Sequence, residues 1–166
     1  YNRNFKCMPE NKEVVAANYN LKDQIVISGL SKAIEDITPK LQEAGAKRVM
    51  PLKVSGAFHS PFMKPAADSL KEFLENIKFN NSQNKVFSNL TAEIHSFDSI
   101  KENLYKQMFS TVKWFDSMIN MQKLGITKIY ECGHGKVLTG MSKKIAPDIE
   151  SVSVFDIDSL NSAVNN

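Results

Sequence analysis

Residues 128–145, KIYECGHGKVLTGMSKKI, determine the fold class more directly than any other stretch of the chain. KIYEC (128–132) is a short run of the kind found in β-strands, and the glycine pair after it predicts a tight turn. A helix is then predicted over residues 136–145. Strand, glycine turn and helix in immediate succession are typical of a parallel α/β domain.

The residues before this stretch alternate in the same way. A helical stripe of apolar residues occupies 65–77, a short strand is predicted over 85–90, and helices are predicted over 99–109 and 115–123. We therefore predict that residues 55–166 form the C-terminal part of a parallel α/β domain.

The first third of the chain has another pattern. Residues 13–18 and 24–28 are predicted to be an antiparallel strand pair, because a polar connector of hairpin length separates them. A helix capped by Ser31 is predicted from there to about residue 44, with a kink or break at Pro39. Residues 48–54 are predicted to be a third strand. Strand, strand, helix, strand is most of a split β-α-β unit, so we place a domain boundary near residue 55 and assign residues 1–54 to a smaller subdomain.

Composition excludes several functional classes. The chain has 166 residues, 42% of them hydrophobic, and no apolar run long enough to span a bilayer. The net charge of +3 is dispersed among acidic residues, which argues against nucleic-acid binding. Cys7 and Cys132 lack the spacing of a disulfide framework, so we predict two free thiols in a reducing compartment.

His59, within GAFHSPFMKPA (56–66), is the first candidate for chemistry. It is predicted to lie on a loop between a strand and a helix, and imidazole titrates near neutral pH as a general base must. From position alone a structural histidine is the more common interpretation. A base also needs a nucleophile, and the chain contains no G-x-S-x-G elbow.

Two further hypotheses are weaker. His59, His95 and His134 are isolated from one another and no C-x-x-C pair occurs, so no metal site is predicted. The GHGK stretch (133–136) could hold a phosphate at a helix N-terminus, but an ordinary tight turn explains the same residues more simply.

Three segments together resemble a known family. NYNLKDQIVISG (18–29), AGAKRVMPLKVSGAFHSPFMKPAADSL (44–70) and YECGHGKVLTGMSKKI (130–145) resemble, in order and to about residue 146, the C-terminal half of malonyl-CoA:acyl carrier protein transacylase. The resemblance implies an α/β (α+β) fold. It would comprise an incomplete ferredoxin-like subdomain, with its first strand missing, and the C-terminal part of a hydrolase-like parallel α/β domain.

The resemblance also implies roles for individual residues. His59 matches the family's catalytic base, and Gln107 matches a glutamine whose group orients that histidine. The family's serine elbow and its carboxylate-binding arginine lie upstream of the matched region, so we expect this chain to be a fragment that is inactive alone. The residues implied to lie at the substrate are Asn18, Asn20, Gln24, Phe58 and Asn89.

The implied function is transfer of a malonyl group from malonyl-CoA to the phosphopantetheine thiol of acyl carrier protein, without a metal or redox cofactor. Two alternatives stay open: an acyltransferase domain of the polyketide-synthase type, and a carrier-protein or CoA-binding module without chemistry. Phe58 before the histidine resembles the malonyl-selecting form, although it could simply fill the core. We expect a cytoplasmic location in a bacterium or a plastid-like organelle in a eukaryote, and self-association through apolar faces that truncation would expose.

Overall fold

The computed structural model describes residues 12–165, and its secondary structure is mixed α/β. Short 3₁₀ helices at Pro61–Met63 and Phe97–Ser99 precede the second and third α-helices. The ten regular elements, in chain order, are β1 (Val14–Leu21), β2 (Gln24–Gly29), α1 (Ser31–Glu43), α2 (Lys64–Asn76), α3 (Ile100–Gln107), α4 (Trp114–Lys123), β3 (Lys128–Cys132), α5 (Val137–Ile145), β4 (Glu150–Val154) and α6 (Ile157–Val164).

The first sheet is the predicted hairpin. β1 and β2 pair antiparallel, with Val14 opposite Gly29 at one end and Leu21 opposite Gln24 at the other. α1 packs its apolar stripe on this hairpin, where buried Ile37 and Leu41 join Val14 in one core cluster. The structure confirms the predicted hairpin and the predicted helix after it, and shows that the helix covers the hairpin.

Pro39 does not break α1, contrary to our expectation. A proline within a helix removes the amide that would bond to the carbonyl four residues earlier, which here belongs to Glu35. Both residues are exposed. Because they lie on the solvent side of α1, water can hydrate the unpaired carbonyl, and the helix continues to Glu43.

The predicted third strand over residues 48–54 is wrong. The segment is irregular, and most of its side chains, including Met50, Leu52 and Val54, are exposed. Pro51 has no amide to donate to a ladder, and no strand among residues 12–165 lies beside the segment to pair with it. The β-β-α-β order expected of a ferredoxin-like subdomain is therefore only partly present.

The second sheet consists of β3 and β4, which pair parallel in register from Lys128 and Glu150 to Cys132 and Val154. α5 connects the two strands: β3, the glycine turn and α5 follow in the predicted order, whereas β4 was not predicted. Met118 of α4 packs with Ala146 and Ile149 in a second core cluster, against which Ile129 of β3 also packs.

Several other elements and boundaries differ from the predictions. The strand predicted over 85–90 is reduced to a single bridge between Phe87 and Ile94. Neither Ser31 nor Ser99 caps a helix with its side chain. We did not predict β4 or α6, although Asp156 and Ser159 form a capping box at the start of α6 that the sequence could have indicated.

Within residues 12–165, no helix is both long enough and apolar enough to cross a membrane.

The domain boundary near residue 55 stays a prediction. β1 contacts both α4 and α5, so the hairpin is packed against the C-terminal part of the chain.

Candidate active site

His59 lies on a tight loop immediately before the 3₁₀ helix that leads into α2. Its φ of +57° is in the left-handed region, which side chains other than glycine occupy uncommonly and often at functional sites. The next residue, Ser60, is fully buried, and its hydroxyl donates a hydrogen bond to the carbonyl of Ala57. The loop conformation around His59 is therefore held by a buried anchor, which we did not predict from the sequence.

The imidazole of His59 contacts the end of α3. Its Nδ1 lies 3.0 Å from the main-chain carbonyl oxygen of Gln107, the last residue of that helix. The last carbonyls of a helix have no partner within the helix, so this oxygen is available as an acceptor. Because a carbonyl can only accept, the proton of the neutral imidazole lies on Nδ1, and the lone pair lies on Nε2. That tautomer suits a general base acting through Nε2.

The contact also refines the expectation for Gln107. The group that orients His59 is the backbone carbonyl of residue 107, not its side-chain amide. Any residue at position 107 would supply that oxygen, so the identity of the side chain matters less to the histidine than the position of the helix end.

Two more of the expected residues are tied to the segment 107–113 that follows α3. Asn18 forms a parallel bridge with Val112, with hydrogen bonds from the Val112 amide to Ala17 and from the Tyr19 amide to Val112. The carbonyl of Asn89 accepts a hydrogen bond from the Lys113 amide at 2.9 Å. His59, Asn18 and Asn89 therefore all contact one stretch of backbone, which brings distant parts of the sequence together.

The remaining expected residues are Asn20, Gln24 and Phe58, for which the structure gives the exposure but no hydrogen bond to His59 or the segment 107–113. Asn20 is half-buried on β1, and Gln24 is exposed at the turn end of the hairpin, where it faces Leu21. Neither side chain forms a hydrogen bond to a residue between 12 and 165. Phe58 is 45% exposed beside His59, so it does not simply fill the core.

The glycine turn before α5 does not offer a free anion site. The carboxylate of Glu131 accepts hydrogen bonds from the amides of Leu138 (3.0 Å) and Thr139 (2.7 Å), at the N-terminus of the helix. A phosphate would have to displace this carboxylate. The structure thus favours the ordinary turn interpretation over the phosphate hypothesis.

The same contacts predict a pH effect on stability. Partial burial opposes ionisation of Glu131, but the hydrogen bonds from Thr139, Leu138 and Val137 prevail and lower the pKa of its carboxyl group. A lowered pKa in the folded state stabilises the fold above the unfolded pKa, and the gain is lost as pH falls through the folded value. Glu131→Gln should weaken this acid dependence in urea titrations at several pH values, whereas an unchanged dependence would contradict the assignment.

Other candidate ligands are dispersed. Among residues 12–165 no group of three or more histidine, cysteine, aspartate or glutamate side chains could hold a metal ion. His95 lies 3.1 Å from Asn103 through Nδ1, and burial lowers the pKa of its imidazole. Cys132 is exposed with a free thiol, as predicted, while Cys7 lies outside the described residues.

Comparisons with known proteins agree on one class. No family model matches the chain. Malonyl CoA-acyl carrier protein transacylases are similar to it: the protein from Synechocystis is 40% identical over 95% of the chain, and that from Bacillus subtilis is 39% identical over 96%. The chain spans about half the length of these curated relatives, 53% and 50% respectively.

Solved structures give the same result. The MCAT crystal structure from Streptococcus pneumoniae superposes with a TM-score of 0.88 at 38% identity, over 92% of this chain and 50% of that one. A malonyl-transacylase in complex with its type II PKS acyl-carrier protein superposes with a TM-score of 0.91 at 36% identity, over 99% of this chain and 54% of that one.

These matches show that the chain is similar, over nearly its whole length, to proteins of the acyltransferase class. More particularly, it is homologous over nearly its whole length to about half of a malonyl CoA-acyl carrier protein transacylase.

Proposed function

We propose that this chain supplies the histidine-bearing half of an enzyme that transfers malonyl groups from malonyl-CoA to the phosphopantetheine thiol of acyl carrier protein. The contact of His59 Nδ1 with the Gln107 carbonyl carries the proposal, because it leaves Nε2 as a base facing away from that helix end. The names of the relatives supply the substrate class.

The reaction then follows a two-step course. Nε2 of His59 takes the proton of a serine hydroxyl as that oxygen attacks the malonyl thioester carbonyl. The carbon–sulfur bond breaks, and the imidazolium returns the proton to the departing CoA thiolate. In the second step His59 takes the proton of the carrier thiol and the thiolate attacks the carbonyl of the malonyl-serine ester. The ester carbon–oxygen bond breaks, and the imidazolium returns the proton to the serine oxygen.

The nucleophilic serine in this proposal lies outside the 166 residues. None of the serines of the sequence lies in a G-x-S-x-G elbow. The chain would therefore provide the base, the element that orients it and part of the substrate cleft. The roles of Asn18, Asn20, Gln24, Phe58 and Asn89 at that cleft belong to the same proposal.

The test compares malonyl transfer by this chain with transfer by a form extended upstream to include the expected serine elbow. We expect transfer to acyl carrier protein only from the extended form. Transfer by the 166 residues alone would reveal a nucleophile within them and overturn the assignment of roles. No transfer by either form would overturn the proposed function.

A carrier protein of polyketide synthesis is a second candidate partner. One structural neighbour was solved with a type II PKS acyl-carrier protein, and the present chain aligns with it over 99% of its length. Competition between a fatty-acid carrier and a polyketide carrier in the same assay would decide between them.

The site of action would be a bacterial cytoplasm or a plastid-like organelle, where such carriers meet malonyl-CoA. A module that binds carrier or CoA without chemistry would bind either one and transfer nothing.

We also expect the isolated chain to self-associate. Large apolar side chains are strongly exposed on three helices: Phe73 of α2 and Val137 of α5 are each 70% exposed, and Ile157 of α6 is 75% exposed. Exposed apolar surface of this kind favours association. Light scattering over a concentration series should show growing particles, and a monodisperse monomer would contradict the expectation.

A further inference from the structure

We propose that Lys64, Asp68 and Tyr105 form a clamp between α2 and α3 that positions the imidazole of His59 against the Gln107 carbonyl. The inference rests on the proposed function, since it assigns a positioning role to residues outside the reacting groups. Nothing in the sequence pattern pointed to these three residues, because they come from two different helices, with Asp68 and Tyr105 37 positions apart.

One carboxylate oxygen connects the two helices. Oδ1 of Asp68 accepts a hydrogen bond from the Lys64 ammonium, one turn earlier on α2, at 2.5 Å. The same oxygen accepts a hydrogen bond from the Tyr105 hydroxyl of α3 at 2.8 Å. The contact therefore joins an ion pair on one helix to an aromatic residue on the other.

The ring of Tyr105 is held as well as its hydroxyl. The ammonium groups of Lys64 and Lys71 lie 5.3 and 5.4 Å from the ring centroid, within the range of cation–π attraction. Phe109 packs edge-on against the ring, with centroids 5.2 Å apart and planes at 76°. An isolated surface ion pair contributes little, but a network that also orients a half-buried ring restricts the helices relative to each other.

The charges of the network remain in place at neutral pH. Hydrogen bonds from Lys64 and Tyr105 lower the pKa of the Asp68 carboxyl group. Hydrogen bonds with Asp68 and Tyr105 likewise raise the pKa of the Lys64 ammonium. Each shift favours the charged form that makes the contact.

The position of the clamp along the two helices is what links it to His59. Lys64 begins α2 and follows His59 by five residues, through buried Ser60 and the 3₁₀ turn. Tyr105 precedes Gln107 by two residues at the end of α3. The clamp therefore lies at the end of the helix pair that carries the Nδ1 contact, and a slip between the helices would change that 3.0 Å distance directly.

A second link between the same helices provides a matched control. Lys101 Nζ donates a hydrogen bond to the carbonyl of Glu75 at 3.0 Å, toward the opposite end of the pair. If the links only stabilise helix packing, loss of either should have the same consequence. If the clamp positions His59, only the link at the His59 end should affect the imidazole.

The experiment uses the extended protein with Tyr105→Phe, which removes the hydroxyl and keeps the ring, and Lys101→Met as the control. We expect Tyr105→Phe to lower kcat for malonyl transfer by about three- to tenfold with KM unchanged, the scale of one lost hydrogen bond. Lys101→Met should stay within about twofold of the parent. Asp68→Asn, which keeps an acceptor oxygen for Tyr105, should retain more activity than Asp68→Ala.

An independent readout separates this proposal from the proposed function. Nitrogen-15 NMR of histidine-labelled protein reports which ring nitrogen of His59 carries the proton. We expect the Nδ1–H tautomer in the parent and in Lys101→Met, and a mixture in Tyr105→Phe. Equal kcat and equal tautomer populations in Tyr105→Phe and Lys101→Met would overturn the positioning role. If the parent protein transferred no malonyl group while Tyr105→Phe still changed the tautomer of His59, that pair of results would retain the positioning role and reject the proposed function.

Discussion

Replacing His59 with alanine in the extended protein should reduce malonyl transfer at least about a hundredfold, the lower end of the range for losing a general base. The physical reason is the arrangement at the end of α3: Nδ1 is engaged by the Gln107 carbonyl, so proton transfer depends on Nε2 of this one ring. The measurement is the steady-state rate of malonyl loading on acyl carrier protein, with circular dichroism to confirm folding.

Two control variants test whether the loss of rate is specific to the His59 imidazole. His134→Ala removes an exposed histidine from the glycine turn and should leave the rate nearly unchanged. Gln107→Ala keeps the backbone carbonyl that contacts His59, so its loss of rate should be far smaller than that of His59→Ala. Near-parent activity in His59→Ala would remove the histidine from the mechanism, and a loss in Gln107→Ala equal to that of His59→Ala would show that the side chain also acts.

Gly29→Ala should produce the largest loss of stability among single methyl additions to the chain's glycines. A Cβ at this position would lie 1.9 Å from the carbonyl oxygen of Glu13 and 2.8 Å from the Cα of Val14, both of them backbone atoms. That carbonyl also accepts the hydrogen bond from the Leu30 amide, where the chain leaves β2 for α1. We expect a decrease of about 3 kcal/mol or more in the free energy of unfolding, the upper range for overpacking.

Gly140→Ala is the matched control for the same chemical change. Gly140 lies within α5, and nothing lies within 4 Å of a Cβ built on it. Alanine should raise the free energy of unfolding by about 0.5–1 kcal/mol, because glycine is a poor helix former. Urea unfolding of both variants checks the pair, and equal effects of the two substitutions would contradict the close approach at Gly29.

Periodicity alone predicted most regular elements of the fold. The hairpin, α1, α2, α4, β3 and α5 follow from short β-branched runs, helical stripes and glycine turns, which act over a few neighbouring residues. Some errors were local, since Pro39 did not break α1 and the capping box of α6 was missed. The two strand errors occurred where pairing with another strand decides. Residues 48–54 have strand-like composition without a partner strand among residues 12–165, and 85–90 retain only one bridge.

The candidate site was only partly accessible to sequence reasoning. His59 stood out because a histidine on a loop between small residues can act as a base, and the resemblance to transacylases raised that interpretation above the structural one. The carbonyl that orients it could not be predicted by residue type, since every residue has one. The clamp formed by Lys64, Asp68 and Tyr105 likewise depends on how two helices cross.

The sequence by itself determined the local elements, the class of relatives and the identity of the candidate base, because these depend on residue types and short spacings. Only the tertiary structure decided that the end of α3 meets His59, that one backbone stretch contacts both Asn18 and Asn89, and that Glu131 occupies the N-terminus of α5. The first two contacts join residues far apart in the chain, and the third joins a strand to the helix that follows it. All three are made through backbone groups and helix ends, whose positions are set by packing and leave no pattern in the sequence.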